Sequence, residues 1–180
     1  MEHDPVVLFE RAATAASALA GTVTPAQLGD PTPCRDWTVA QLLAHMAGGT
    51  SYLLGALGVD HEAPGTDVGA YRAAVSRYVE ALHQPGALEG RCISPAGFEW
   101  SIAEATAGPF MDQLVHTWDL AVATGHDRTL DPELAEACVS MFLPAMPEIG
   151  REAGLVGPAV VVPIDASAQD RLLGAMGRQP

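Results

Sequence analysis

The stretch that decides the fold is Asp112-Gln113-Leu114-Val115-His116-Thr117-Trp118-Asp119-Leu120, which continues to Gly125. In an α-helix four residues advance the chain by about 400°, so Asp112 and His116 point in almost the same direction. Asp119, three residues further on, falls on that face too. A carboxylate and an imidazole one turn apart on a buried helix either carry chemistry or need a polar partner. The pattern therefore predicts a helix that brings these groups to one site.

A second histidine lies in a long uncharged segment elsewhere in the chain. No Asp, Glu, Arg or Lys occurs from Trp37 to Val59, and His45 lies inside this range. The segment is long enough to span a membrane, but polar residues interrupt it and no basic flank orients it. It is therefore predicted to be a central helix of a helical bundle, not a membrane span.

Three of these residues could bind one metal ion. An aspartate and an imidazole four residues apart on a helix can chelate an ion, and His45 from a second helix would complete three ligands with one open position. This is the arrangement of a catalytic zinc site. The alternative is that each histidine is a hydrogen-bonded core residue, which is the commoner role of a single histidine on an apolar helix. Spacing alone leaves both interpretations open.

The composition limits the classes of function. The 180 residues carry 9 basic and 22 acidic side chains, a net charge of −13, which argues against nucleic acid or an anionic membrane as a partner. Every basic residue is arginine, which excludes Schiff-base chemistry and phosphate loops that need lysine. The cysteines, Cys34, Cys92 and Cys138, lack zinc-ribbon or redox spacing, and the N-terminus lacks the order of a secretory signal. We expect reduced thiols in a cytoplasmic protein.

Apolar residues at helical spacing, together with start and stop signals, predict four principal helices. They cover Pro5–Ala20, a segment from Thr38 to about Leu57, Val68–Leu82, and a segment opened by Gly108-Pro109 and closed by Gly125. Helices of this length joined by crossover loops predict an all-α protein, an antiparallel four-helix bundle that forms a single domain over residues 1–180. The interior of such a bundle is where facing helices place metal ligands.

Local signals refine this outline. Thr38 and Gln41 form a capping box, and Trp37 can pack on Leu42 as a hydrophobic staple, so this helix has the clearest start in the chain. Pro95-Ala96-Gly97 predicts a turn between two short extended pieces.

The C-terminal part is predicted to add helices to the bundle. One starts at Asp131 and is apolar through Met146, and another covers Ala166–Met176. Between them Pro158–Ile164 is a β-branched run bounded by prolines, either an edge strand or an extended cover strip.

Several residues near the predicted site have two interpretations each. Asp119 is either a further ligand or a hydrogen-bond acceptor that holds a histidine in place. Cys34 precedes a helix N-terminus, where a thiolate is favoured, but loop packing is its expected role. Gly48 and Gly49 are costly inside a helix, and either clear room for a substrate or allow close helix packing. The remaining histidines are expected to be solvated: His3, His61, His83 and His126.

Three motifs carry a resemblance to a known family. They are Pro33-Cys34-Arg35-Asp36-Trp37-Thr38-Val39, then Leu42-Leu43-Ala44-His45, and then His116-Thr117-Trp118-Asp119-Leu120-Ala121 with Ala123-Thr124-Gly125. Together they resemble the N-terminal, metal-binding domain family of mycothiol-dependent maleylpyruvate isomerase, within the DinB-like superfamily. The tail from Gln169 to Pro180 is similar to the ending of small actinobacterial members.

The resemblance implies a DinB-like helical bundle and assigns the ligand triad to His45, Asp112 and His116, with glutamate in the isomerase where this chain has Asp112. It implies a divalent ion, zinc first with nickel or iron as alternatives, and a low-molecular-weight thiol such as mycothiol as cosubstrate. Because the isomerase has a second domain that this sequence does not include, we expect a transferase or isomerase type reaction on another electrophile. The rival functions are a metal-dependent hydrolase and a non-catalytic metal-binding protein. A homodimer is compatible with each of these functions.

Overall fold

The computed structural model describes residues 4–60, 65, 67–95 and 97–180. Within these residues it contains seven α-helices and one two-stranded hairpin, which confirms the predicted all-α class. The predictions for His3, His61 and Ala96 concern residues outside the described ranges. The chain divides into two compact units, Met1–Arg128 and Thr129–Pro180. A single domain over residues 1–180 stays a prediction.

The first unit contains four long helices and the hairpin. The helices are α1 (Pro5–Ala20), α2 (Val39–Ala56), α3 (Val68–Leu82) and α4 (Ile102–Thr124), and the strands are β1 (Arg91–Ile93) and β2 (Glu99–Ser101). Helix α1 packs against α3 and α4, and α2 also packs against α3 and α4, so each of the four contacts two others as in a four-helix bundle. Their apolar faces form the core of the unit.

The start of α4 differs from the prediction. We expected Gly108-Pro109 to open this helix, but it begins at Ile102, and Pro109 lies inside it. The earlier start comes from a capping box: the Ser101 hydroxyl accepts from the Glu104 backbone N–H, and the Glu104 carboxylate accepts from that of Ser101. A proline removes only one backbone donor, so the helix continues through it. Helix α4 ends as predicted at Gly125, which has a positive φ of 73°.

The hairpin that precedes α4 confirms the expected pair of short extended pieces. Strand β1 pairs with β2 in antiparallel register, with Cys92 opposite Trp100. The ring of Trp100 lies 3.2 Å from the position that a Cβ would take at Gly108, so this glycine makes room for the indole against α4.

The second unit contains three short helices, α5 (Pro132–Phe142), α6 (Met146–Glu152) and α7 (Ala168–Ala175). We expected the helix that starts at Asp131 to extend through Met146, but α5 ends at Phe142 and Met146 begins α6. For the run Pro158–Ile164 the sequence leaves open an edge strand or an extended cover strip, and the structure shows no strand there. The run lies along α7 instead, where the backbone N–H of Val160 donates to the carbonyl of Gly174 at 2.9 Å. Among the described residues, no helix is both long and apolar enough to cross a membrane.

Candidate metal centre

The three predicted ligand residues meet at one point between α2 and α4. Nε2 of His45 lies 3.2 Å from Oδ1 of Asp112, and Nε2 of His116 lies 3.2 Å from the same oxygen. His45 and Asp112 are 67 positions apart in sequence. The fold thus assembles a His, Asp, His group that no local segment could form.

The donor set and its spacing suit a tetrahedral divalent ion. Bonds of about 2.0 Å from nitrogen and oxygen to zinc place neighbouring tetrahedral ligand atoms about 3.3 Å apart. The two measured separations from Asp112 are both 3.2 Å. An ion could therefore be held by these atoms with little movement of the side chains. That it is held there stays a prediction.

Hydrogen bonds between neighbouring helices fix the distance between α2 and α4. The side-chain amide of Gln113, the residue after Asp112, donates to the backbone carbonyl of Met46, the residue after His45. The hydroxyl of Tyr71 on α3 donates to the carbonyl oxygen of the same amide. Because Gln113 is buried, this link between three helices is shielded from water and holds the ligand-bearing turns in register.

The start of α2 also shapes the site. The predicted capping box is present, with Thr38 accepting from the Gln41 backbone and the Gln41 side chain accepting from that of Thr38. Trp37, expected only to staple the helix start, lies against both imidazoles: its ring centroid is 4.8 Å from that of His45 and 6.1 Å from that of His116. The indole thus forms an aromatic wall of the candidate site.

Asp119 lies behind His116 and not beside Asp112. Its Oδ2 atom is 2.8 Å from Nδ1 of His116, and its side chain is completely buried. This arrangement matches the interpretation of Asp119 as the acceptor that orients a ligating histidine. With Nδ1 engaged by Asp119, the Nε2 atom of His116 is the one that faces Asp112 and His45.

Cys34 is a site residue that sequence reasoning underrated. Its sulfur lies 3.2 Å from Oδ2 of Asp119 and 3.8 Å from Nδ1 of His116, in addition to any role in loop packing. Thr32 closes the loop by bonding through its backbone N–H and its hydroxyl to the carbonyl of Trp37. Asp36, with a positive φ of 63°, supplies the tight turn inside it. The sequence feature that could have identified Cys34 as a site residue is its position just before the start of α2.

The charges at the site reinforce one another in the metal-free protein. Burial would raise the pKa of Asp112, but the nearby His116 and His45 outweigh it and hold the pKa of Asp112 below its usual range. Burial would likewise lower the pKa of His116, but Asp112, Asp119 and Cys34 together raise it well above its usual value. A divalent cation could take the place of the proton that this anionic surrounding attracts.

The two glycines of α2 leave open space beside the site. A Cβ at Gly49 would have only Oδ2 of Asp112 near it, at 4.0 Å, and a Cβ at Gly48 would meet nothing within 4 Å among the described residues. Close helix packing is therefore not the reason for these glycines. His45 and Asp112, with 39% and 32% of their side chains exposed, open toward solvent, whereas His116 is 8% exposed.

The remaining described histidines lie away from this group. His83 bonds to Glu10, and His126 bonds to Thr22 and Thr124 at 3.2 and 2.9 Å. Among the described residues, two groups of side chains are close enough to hold a metal ion: His45 with Asp112 and His116, and Cys34 with His116 and Asp119.

Comparison with known proteins places this chain in a family. Residues 9–91 match the family model for the mycothiol maleylpyruvate isomerase N-terminal domain, a range that includes His45 and ends before Asp112. Proteins from two strains of Mycobacterium tuberculosis, both described as uncharacterized, are 36% identical to this chain over 140 residues, which is 73% of this chain and 74% of theirs. No solved structure gives a significant match. The chain belongs to the mycothiol maleylpyruvate isomerase N-terminal domain family.

Proposed function

We propose that this protein is a divalent-metal enzyme that binds zinc through His45, Asp112 and His116 and uses a low-molecular-weight thiol such as mycothiol as cosubstrate. Its reaction is of the transferase or isomerase type, in which the thiol adds to an electrophilic small molecule. The observation that carries the proposal is the meeting of the three side chains around Oδ1 of Asp112, at 3.2 Å from each imidazole.

The charges of the ligand set favour an anionic fourth ligand. Two neutral imidazoles and one carboxylate offset a single charge of a dication, so one positive charge remains for a thiolate to neutralise. When bound, zinc supplies an open coordination position that lowers the pKa of the group it takes, so that a thiol is deprotonated near neutral pH. Asp112 and the two histidines, whose ligand atoms lie close together, would determine where that group is held.

The chain's own residues determine the direction of approach. His116 is nearly buried and backed by Asp119, so the thiol and the electrophile do not approach from its side. The exposed side is formed by His45 and Asp112, next to the space that Gly49 leaves open. Trp37 covers the imidazole of His45 and excludes water from one flank. We therefore infer that thiol and electrophile enter along the Gly49 side of α2.

The thiol itself is inferred from the family, whose description names mycothiol. The two uncharacterized relatives add no substrate to this inference. The electrophile is identified here only by class: an unsaturated or otherwise thiol-reactive small molecule.

The test combines metal analysis with thiol binding. Purified protein should contain one equivalent of zinc at this site by mass spectrometry, and mycothiol should perturb the visible spectrum of the cobalt-substituted protein. A panel of electrophiles should then be consumed only when thiol is present. His45→Ala is the matched control, and should lose the metal at this site and the thiol response together. Hydrolysis of esters or amides without thiol would instead support the hydrolase, and bound zinc that no thiol perturbs would support a non-catalytic metal protein.

A further inference from the structure

A second group of metal-ligating atoms lies on the opposite edge of the His116 ring. Sγ of Cys34, Oδ2 of Asp119 and Nδ1 of His116 form a triangle with sides of 3.2, 2.8 and 3.8 Å. The proposed function uses only Nε2 of His116. The Cys34 sulfur and the Asp119 carboxylate therefore remain as an additional donor pair.

The size of this triangle suits a metal ion. Zinc bonds of about 2.3 Å to sulfur and about 2.0 Å to nitrogen and oxygen put neighbouring tetrahedral ligands about 3.3 to 3.6 Å apart. Two of the three measured separations are shorter than that range and the third is longer. Shifts of about half an ångström at single atoms would therefore fit an ion. Thiolate, imidazole and carboxylate are also the three ligand types that zinc takes in proteins.

The charges balance when ions occupy both edges of the ring. Asp112, Asp119 and a Cys34 thiolate carry three negative charges, and an imidazole that binds metal through both nitrogens carries a fourth. Four negative charges offset two dications, whereas an ion at the first position alone, with His116 as a neutral imidazole, keeps the one positive charge that the thiolate neutralises in the proposed function. Because Asp119 is completely buried and His116 almost so, a neutral total charge matters here more than at an exposed site.

We propose that Cys34, Asp119 and Nδ1 of His116 form a second metal position, for a thiophilic divalent ion such as zinc or cobalt, and that the His116 imidazolate bridges it to the first. Binding releases the Cys34 thiol proton and the Nδ1 proton to solvent, and no group is oxidised or reduced. The competing arrangement keeps those protons, with Cys34 and His116 both donating hydrogen bonds to Asp119 and no ion between them.

Cobalt titration of the metal-free protein separates the two arrangements. A cobalt–thiolate bond absorbs strongly in the near ultraviolet, whereas the His, Asp, His group has no sulfur. The wild type should take two equivalents and show this band. Cys34→Ser should take one equivalent without the band, and Cys92→Ser, which removes another half-buried thiol, should keep both equivalents and the band. Circular dichroism checks that each variant is folded.

The decisive variant is His45→Ala, because it removes the first position and leaves all three atoms of the second. It should retain one equivalent of cobalt with the thiolate band, and His116→Ala should bind none. A wild type that saturates at one equivalent without the band, or a folded His45→Ala that binds none, overturns the second position. The proposed function fails separately, if Cys34→Ser binds no metal or if its metal does not respond to thiol.

Discussion

Oδ2 of Asp119 lies 2.8 Å from Nδ1 of His116, three residues earlier on α4, and nothing of Asp119 reaches solvent. A buried carboxylate accepts hydrogen bonds, so in the metal-free protein Nδ1 carries a proton and points at Asp119. Nε2 then faces Asp112 at 3.2 Å. One residue therefore determines which nitrogen of His116 is presented to the candidate metal position.

This relationship predicts the effect of Asp119→Asn on zinc affinity. An asparagine can present an N–H to Nδ1, which favours the wrong tautomer, so affinity at the first position should fall by about 10- to 100-fold. The measurement is chelator competition in a Cys34→Ser background, so that only the first position is counted. Thr117→Ala, on the same helix, is the control and should leave the affinity unchanged. An unaltered dissociation constant in Asp119→Asn would show that the carboxylate does not orient His116.

The ligand triad predicts a graded series of metal contents in the same Cys34→Ser background. His45→Ala and His116→Ala should each abolish tight binding, because two remaining ligands cannot hold zinc in an open site. Asp112→Asn should weaken binding by removing the charge that offsets the dication. Asp112→Glu should be tolerated, since Asp112 is partly exposed and a longer side chain has room.

Mass spectrometry of the metal content tests this series across all four changes. If His45→Ala keeps a full equivalent of zinc while Asp119→Asn loses it, the triad is wrong, and the ligands lie along α4 alone.

The helices could be predicted because their signals are local. The Thr38 capping box, the spacing in α3 and Gly125 all act within a few residues, and the structure confirms each of them. The start of α4 was missed although its signal was equally local: Ser101 and Glu104 form a capping box, and Pro109 was given too much weight as a helix start. Proline is tolerated in a helix that its neighbours already hold.

The surroundings of the site could not be predicted from spacing. That Cys34 lies beside Asp119 and that Trp37 lies against both imidazoles depend on how the loop before α2 meets α4, about 80 residues later. Periodicity assigns a residue to a face of its own helix, but it gives no distance to a loop. The proximity of His45 to Asp112 was expected from the family resemblance, whereas its distance is known only from the structure.

The capping box of α2 predicts a stability change without a change in metal content. Thr38→Ala should cost about 1 kcal/mol, the usual loss when a capping hydroxyl is removed. The number of zinc equivalents should stay the same, because His45 lies about two turns further along α2. Denaturant titration measures the first quantity and mass spectrometry the second. Thr38→Ser keeps the hydroxyl and should retain nearly the wild-type midpoint. If Thr38→Ala also unfolded at the wild-type midpoint, the cap would contribute nothing to stability.

The two glycines of α2 predict opposite effects on stability and on access. Gly48→Ala and Gly49→Ala should each stabilise the protein by up to about 1 kcal/mol, since neither Cβ meets a packed neighbour. Gly49→Leu should leave zinc binding intact but weaken the thiol response of the cobalt protein, because its side chain extends next to Asp112. Gly48→Leu is the matched control, with no described atom within 4 Å of its Cβ. Equal thiol responses in the two leucine variants would contradict an entrance beside Gly49.

The pKa of His116 predicts how the metal-free protein responds to pH. Burial lowers this pKa, but Asp112, Asp119 and Cys34 raise it further, so the folded value lies above the unfolded value of about 6.5. The stabilisation from protonated His116 is complete below the unfolded pKa and is lost as pH rises through the folded one. The urea midpoint of the metal-free protein should therefore fall as the pH rises above about 6.5, more steeply than that of His116→Gln. Zinc competes with the Nε2 proton, so its affinity should rise over the same interval. A metal-free midpoint that rises relative to His116→Gln would show that the imidazole is neutral in the folded protein.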